Sequence, residues 1–212
     1  LDLSSEAIER IVPKVGESLF IAWAGTVIGA LFSFPISFLA ANNVTFNILN
    51  RFTKQVLNII RAFPELILAF VFLPITGLGP LTGTLAVGIH SIGTLGKLSS
   101  EVIEGIDEGP LEAIKASGGS KVSELLFGVI PQVMPTVVSY WLYRFEINLR
   151  ASAVLGVVGA GGVGAELINQ LRFRDFPRAG TVLVVTIAMV LIVDTISAAI
   201  RKRIIKGRDI KV

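Results

Sequence analysis

The chain has 212 residues, 52% of them hydrophobic and only 17% charged, with a net charge of +3. An ordinary soluble domain carries about 25% charge, and buried soluble helices would need polar helices around them that this chain lacks, so the composition points to a membrane protein. The absence of cysteine excludes disulfides, thiolate metal sites and cysteine nucleophiles; a single histidine excludes a multi-histidine metal centre; and the basic residues do not interleave with aromatics as a nucleic-acid surface requires.

Residues 1–17 are charged and read as an amphipathic surface segment or linker. The chain begins at Leu1 without methionine, so a further N-terminal piece, with or without a span of its own, is an expectation, and no signal-peptide pattern precedes the first apolar run. No charged residue occurs from Ser18 to Asn50, from Leu66 to Gly96, or from Leu125 to Tyr143. Each run meets or nearly meets the roughly 20 residues a helix needs to cross the hydrocarbon core. The fold class is therefore an all-α membrane protein with five predicted spans, roughly 18–41, 62–76, 82–104, 131–155 and 180–200. They form one transmembrane domain over 18–203, followed by a tail over 204–212.

The second span is short and is broken by Pro74, Gly77, Gly79 and Pro80. Irregular backbone at membrane depth is tolerated only where protein shields it or a watery cavity adjoins it. The third span holds His90, expected to be hydrogen-bonded between helices. Its Gly93-Thr94-Leu95-Gly96-Lys97 superficially suggests a phosphate-binding loop. The required spacing would place glycine at Ser91 and serine or threonine at Leu98, so no nucleotide site is expected.

Between the third and fourth spans, Gly109-Pro110, Leu111, Ile114 and Gly118-Gly119 spell a two-turn helix, with proline early and glycine just beyond the end. Leu111 and Ile114 form one apolar edge, and Glu112 can pair with Lys115 across a turn. So short a helix is unstable alone in water. Either a partner's groove or the chain's own inner loops must hold it.

The fourth span carries Arg144, Glu146 and Arg150. A charge at the bilayer centre costs about 2.5–3.5 kcal/mol on insertion scales, so all three must face protein or water. At 100° per residue Glu146 and Arg150 lie about 40° apart, near Tyr143, and are expected to neutralise each other as a structural pair. Arg144 and Asn148, joined by Trp141, fall on roughly the opposite face. The guanidinium fork suits a tetrahedral oxyanion in a substrate pathway; the other reading pairs Arg144 with an acid on another helix, such as Asp194 or Glu65. Beyond this span come five glycines from Gly156 to Gly164. Gly159, Gly161, Gly162 and Gly164 suit a gate, or equally a site of tight helix packing. Residues 159–164 also match G-x-G-x-x-G, but the preceding element is a membrane helix, not a strand, so no dinucleotide site follows.

Lys and Arg counts orient the chain. With the N-terminus outside, the inner segments 42–61, 97–121 and 201–212 carry three, three and six, against two, none and three in 1–17, 77–81 and 156–179. The excess on one side predicts a cytoplasmic C-terminus and puts the Glu112 helix in the cytoplasm.

The stretch Glu112-Ala113-Ile114-Lys115-Ala116-Ser117-Gly118, followed by Ile130-Pro131, resembles the EAA loop of ABC importer permeases. The family's apolar position three residues before the proline is Gly128 here. Tyr143-Arg144-Phe145-Glu146-Ile147-Asn148-Leu149-Arg150, the block Val154–Gly164 and Arg61-Ala62-Phe63-Pro64-Glu65-Leu66 look like the phosphonate-type permeases, and together these blocks cover most of residues 17–203. The resemblance implies a homodimeric inner-membrane permease that does no chemistry and holds no cofactor. ATP and Mg would sit on a dimeric ATP-binding subunit docked at Asp107, Leu111, Glu112, Ala113, Ile114 and Gly118. An external solute-binding protein would deliver phosphonate or a related oxyanion such as phosphite. The other readings are a permease for another small solute such as an amino acid, or an ion channel. An intramembrane enzyme lacks its nucleophile, base and metal constellation.

Overall fold

The computed structural model describes residue 2 and residues 4–209. Helices follow the apolar runs: α1 (Ser5–Ala40), α2 (Asn47–Ala62), α3 (Glu65–Thr76), α4 (Pro80–Glu104), the short α5 (Gly109–Ala116), α6 (Lys121–Ser123), α7 (Ile130–Leu155), α8 (Gly162–Arg172) and α9 (Phe176–Asp209). A wide π turn, Glu124–Val129, leads into α7. Three stretches are long and apolar enough to cross a membrane, Ile8–Ala40, Lys121–Arg172 and Phe176–Ile205, and the bent pair α2–α3 reaches that apolarity when its two halves are taken together, as a broken span or a re-entrant loop. The expected third span, α4, does not reach that apolarity. It is instead the most enclosed helix, burying Thr82, Thr84, Ser91, Ser99 and Ser100 among its neighbours. A helix shielded from lipid by protein has no need to be apolar all round.

Residues 5–17 continue straight into the first span as part of α1 rather than forming a separate surface element. The N-terminus is tied to α9: Asp2 donates its N–H to Thr181 Oγ1 at 2.9 Å and accepts from Arg178 Nε at 2.9 Å. The Ser4 N–H, then Arg178, hold the Asp2 carboxyl down at about 2. The predicted short span 62–76 is the second half of the bent pair α2–α3, whose first half falls in the 42–61 segment expected on the inner side rather than paired with a span. Helix α2 ends at Ala62, Phe63 and Pro64 turn the chain, and α3 leaves at 85°. Proline lacks an N–H and disfavours helical backbone in the residue before it, which is why the break falls there. Pro74, expected to break the span, is absorbed inside α3, and the chain turns only at Gly77 and Gly79, whose φ of 75° and 143° suit glycine. The tail is helical to Asp209, and residues 210–212 lie outside the described residues.

With lipid outside, helices associate by close packing of small residues. A Cβ placed on Gly29 of α1 would lie 2.4 Å from Ser91 Cβ, and one on Gly93 of α4 would lie 2.8 Å from the Arg61 backbone nitrogen. These two approaches draw α1 and α2 onto α4 and set the middle of the bundle.

Candidate functional site

The residues of the 107–118 unit lie together on and beside α5. In α5, Leu111 and Ile114 are half-buried, while Asp107, Glu112, Ala113 and Gly118 are exposed. Leu111 and Ile114 seat over Gly128, where an added Cβ would stand 3.1 Å from Leu111 Cδ1 and 3.4 Å from Ile114 Cδ1. The glycine in place of the family's apolar residue therefore makes room for the helix's own apolar edge. Asp107 is pinned by Gln132: its N–H donates to Gln132 Oε1 at 3.0 Å, and Gln132 Nε2 donates back to its carbonyl at 3.1 Å. Asp107 Oδ1 accepts the Gly109 N–H at 3.0 Å, and Gly118, with φ 78°, ends the unit. Lys115 turns to Glu124 at 3.8 Å rather than to Glu112. The chain's own packing thus holds one edge of α5 and leaves Glu112 and Ala113 facing outward. Beside them is a cavity of about 310 Å³ lined by Asn43, Val44, Leu111, Lys115, Lys121 and Glu124.

The charges of α7 form two separate networks. Glu146 and Arg150 do not pair with each other. Both face α9, where Glu146 meets Arg201 at 3.1 Å and Arg150 meets Asp194 at 3.5 Å. The Arg201 guanidinium also lies 5.4 Å from the Tyr143 ring centroid. The helical spacing did place Glu146 and Arg150 on one face, but a facing helix offered each an opposite charge, and interhelical geometry decided between the partners.

Arg144 and Asn148 lie on the other side, buried between α1, α3 and α4. Arg144 Nε donates to Ser91 Oγ at 2.9 Å, and its Nη2 donates to Glu65 Oε1 at 2.8 Å and lies 2.5 Å from His90 Nδ1. An arginine N–H only donates and a carboxylate oxygen only accepts, so the tautomer of His90 sets which of the two its Nδ1 bonds. Nδ1 and Glu65 Oε1, 3.0 Å apart, both lie against the same guanidinium nitrogen. Asn148 Nδ2 donates to Thr26 Oγ1 at 2.8 Å and to Ser91 Oγ at 3.0 Å. Four helices so contribute to one buried polar cluster. Trp141 is not part of it: its ring packs edge-on to Phe34 at 6.1 Å, in the apolar cluster with Ala41, Ile103, Val133 and Val137. At i−3 from Arg144 it is one turn nearer the π turn, where α1 presents phenylalanines.

The glycine block reverses the chain after α7. Gly159, Gly161 and Gly162 have φ of 83°, 82° and 71°, and a Cβ on Gly164 would lie 1.8 Å from the Ala153 carbonyl. Helix α8 folds back against α7 by this contact. The turn is anchored by the Val163 N–H to Ser18 Oγ at 3.0 Å and by the Gly79 N–H to the Gly159 carbonyl at 2.9 Å. Tight packing is thus one use of these glycines.

Residues 33–206 match the binding-protein-dependent transport system inner membrane component family. The chain belongs to that family. Over 187 residues it is 41% identical to the phosphite transport system permease protein PtxC of Stutzerimonas stutzeri, covering 88% of this chain and 68% of that relative. Over 194 residues it is 40% identical to the phosphate-import permease protein PhnE of Mycolicibacterium smegmatis, covering 91% of this chain and 36% of that one. A chain of the MetNI methionine ABC transporter in an inward-facing conformation shares the fold with a TM-score of 0.82, over 95% of this chain and 99% of its own, at 20% identity. The protein is a permease subunit of an ABC importer, multi-pass in the inner membrane.

Sequence reasoning missed three members of this permease's polar networks: Ser91 and Thr26, which tie Arg144 and Asn148 to α4 and α1, and Arg201, which neutralises Glu146. No spacing within one helix signals a partner on another. The available signal for Arg201 was an unmatched acid on α7 and a basic cluster at the end of α9.

Proposed function

We propose that this permease moves a phosphorus oxyanion, phosphite or a phosphonate, inward through a pathway that includes Arg144 and Asn148. The observation that carries the reading is the buried guanidinium of Arg144 amid hydroxyl, amide and imidazole groups at the middle of the bundle. A planar fork of N–H donors matches two oxygens of a tetrahedral anion, and the relatives named for phosphite and phosphate import support the class of cargo. Trp141, seated in the apolar cluster, has no part in this pathway.

In this reading two copies of the permease line the pathway, and a dimeric ATP-binding subunit, carrying ATP and Mg, docks at the outward face of α5 through Glu112, Ala113 and Gly118. An external binding protein delivers cargo at the opposite side, where the Gly159–Gly164 turn serves as the gate. The N-terminus of this segment lies outside and the C-terminus in the cytoplasm. Leu111 and Ile114 hold α5 in place with their half-buried edge, and the exposed Asp107 joins the docking face. ATP-driven closure of the partner dimer shifts α5, and through Gln132 and the π turn it shifts α7, which bears Arg144.

The test is uptake of phosphite, methylphosphonate and methionine into proteoliposomes holding the permease with its ATP-binding and solute-binding partners. ATP-dependent uptake of phosphite or methylphosphonate, without methionine uptake, is the expected result. Uptake of methionine alone would replace this reading with the amino-acid one.

A further inference from the structure

The bend between α2 and α3 and the buried cluster meet at one point. Glu65 is the first residue of α3, directly after the Phe63–Pro64 turn, and its carboxylate lies 2.8 Å from Arg144 Nη2. Arg144 stands near the middle of α7, and Ser91 near the middle of α4. The 85° break therefore falls at the level of the buried guanidinium. Backbone irregularity at that depth exists only where protein encloses it or a cavity adjoins it, and broken helices at mid-depth are a recurrent way to build ion sites.

The contact itself is incomplete as an ion pair. Glu65 engages Arg144 through one oxygen and one nitrogen, and Nη1 takes part in none of the three bonds that hold the guanidinium. A two-pronged carboxylate–arginine pair is the stronger geometry. The unequal burial points the same way: the Arg144 side chain is 5% exposed, whereas that of Glu65 is 25% exposed. Arg144 is held independently of Glu65 by Ser91, so the acid can leave without releasing the base from its place.

We propose that Glu65 is an internal stand-in for the cargo. In this conformation its carboxylate occupies the oxyanion seat on Arg144, and cargo binds there only when Glu65 swings out on the Phe63–Pro64 hinge. The inference rests on the oxyanion-import reading and adds to it a residue that keeps the site closed when cargo is absent. It accounts for how a lone cation is tolerated at mid-depth between transport cycles, since the pair is neutral until an anion replaces the acid. It also sets specificity: a neutral solute gains nothing by displacing a carboxylate from a guanidinium, whereas a doubly charged tetrahedral oxyanion exchanges one single-pronged contact for a two-pronged one.

The experiment measures equilibrium binding of radiolabelled phosphite to the assembled permease–ATPase complex in nanodiscs, without the solute-binding protein. If Glu65 fills the seat at least nine-tenths of the time, removing its competition tightens apparent binding about tenfold or more. Glu65→Gln should show that gain, and Glu65→Asp, which keeps the charge but shortens the reach, should show a smaller one. Glu65→Gln combined with Arg144→Gln should abolish binding while leaving the site neutral, so that it assembles even if Glu65→Gln alone does not. Unchanged or weaker phosphite binding in Glu65→Asp, and in Glu65→Gln where it assembles, with parental uptake of phosphite intact, overturns the stand-in role and leaves the oxyanion-import reading standing. If the parental complex imports neither phosphite nor methylphosphonate, the import reading fails, and the stand-in role fails with it.

Discussion

The pairing of Glu146 with Arg201 across α7 and α9 makes a quantitative prediction. Replacing Glu146 with glutamine removes a carboxylate whose side chain is 4% exposed and leaves Arg201, 22% exposed, without its acid. At 3.1 Å the gross attraction is about 5 kcal/mol at an effective dielectric constant of ~20, and breaking a buried pair by removing one partner costs about 3–5 kcal/mol. Two features lower that figure. The Tyr143 ring still faces the guanidinium, worth about 0.5–1 kcal/mol, and a long arginine near the end of a helix can redirect its head toward the interface. The expected loss is therefore about 2–3 kcal/mol, read as a lower midpoint in thermal unfolding of the purified complex in detergent. A double-mutant cycle decides the partner. Glu146→Gln with Arg201→Gln should recover much of the loss, whereas Glu146→Gln with Arg150→Gln should add a second one, because Arg150 belongs to Asp194. Recovery by Arg150→Gln and not by Arg201→Gln would refute the interhelical assignment.

Gly93→Ala should cost about 1–3 kcal/mol by overpacking, because its Cβ would lie 2.8 Å from the Arg61 nitrogen and the neighbouring α2 backbone must retreat. Gly16→Ala, with nothing within 4 Å, should be neutral or slightly stabilising in the same thermal measurement. Gly118→Val should strain a left-handed position at φ 78°, and Glu112→Lys should reverse an outward charge. Both should leave membrane insertion intact while uncoupling ATP hydrolysis from uptake, and normal cargo-stimulated ATPase activity in both would remove α5 from the docking role. Arg144→Lys keeps the charge but loses the fork. It should assemble and import phosphite at no more than about a tenth of the parental rate, equivalent to roughly 1.4 kcal/mol, when uptake in proteoliposomes is normalised to assembled complex; parental uptake would show that Arg144 acts only as a structural charge.

The parts of the site that lie within one segment were legible. The α5 unit could be read from Pro110, Ile114 and Gly118 because proline at a helix start and glycine past its end are local signals, and the structure keeps each in that place. The tight packing at the glycines after α7 was legible because a cluster of small residues is likewise a local signal. Partner choice was not: Glu146 and Arg150 satisfy the helical spacing for a pair, yet each has its counterion on α9. The short second span was misread because the break lies at Phe63–Pro64, before the apolar run begins, while Pro74 sits inside α3 without ending it.

What the sequence by itself determined is the solvent this protein folds in and the local stops that bound α5, whereas the start of α1 and the whole of α2 were not read from it. Uncharged runs of membrane length, proline and glycine stops, and the forbidding cost of lipid-facing charge are all properties of a single stretch of chain. Only the tertiary structure decided which polar groups satisfy one another. Arg144 could have faced Asp194 or Glu65, and the Gly29–Ser91 and Gly93–Arg61 approaches chose Glu65 by bringing α1, α2 and α4 close enough to set α3's first residue beside α7. Counterion choice in a membrane depends on distances of a few ångströms between helices far apart in sequence, and no pattern within one helix encodes those distances.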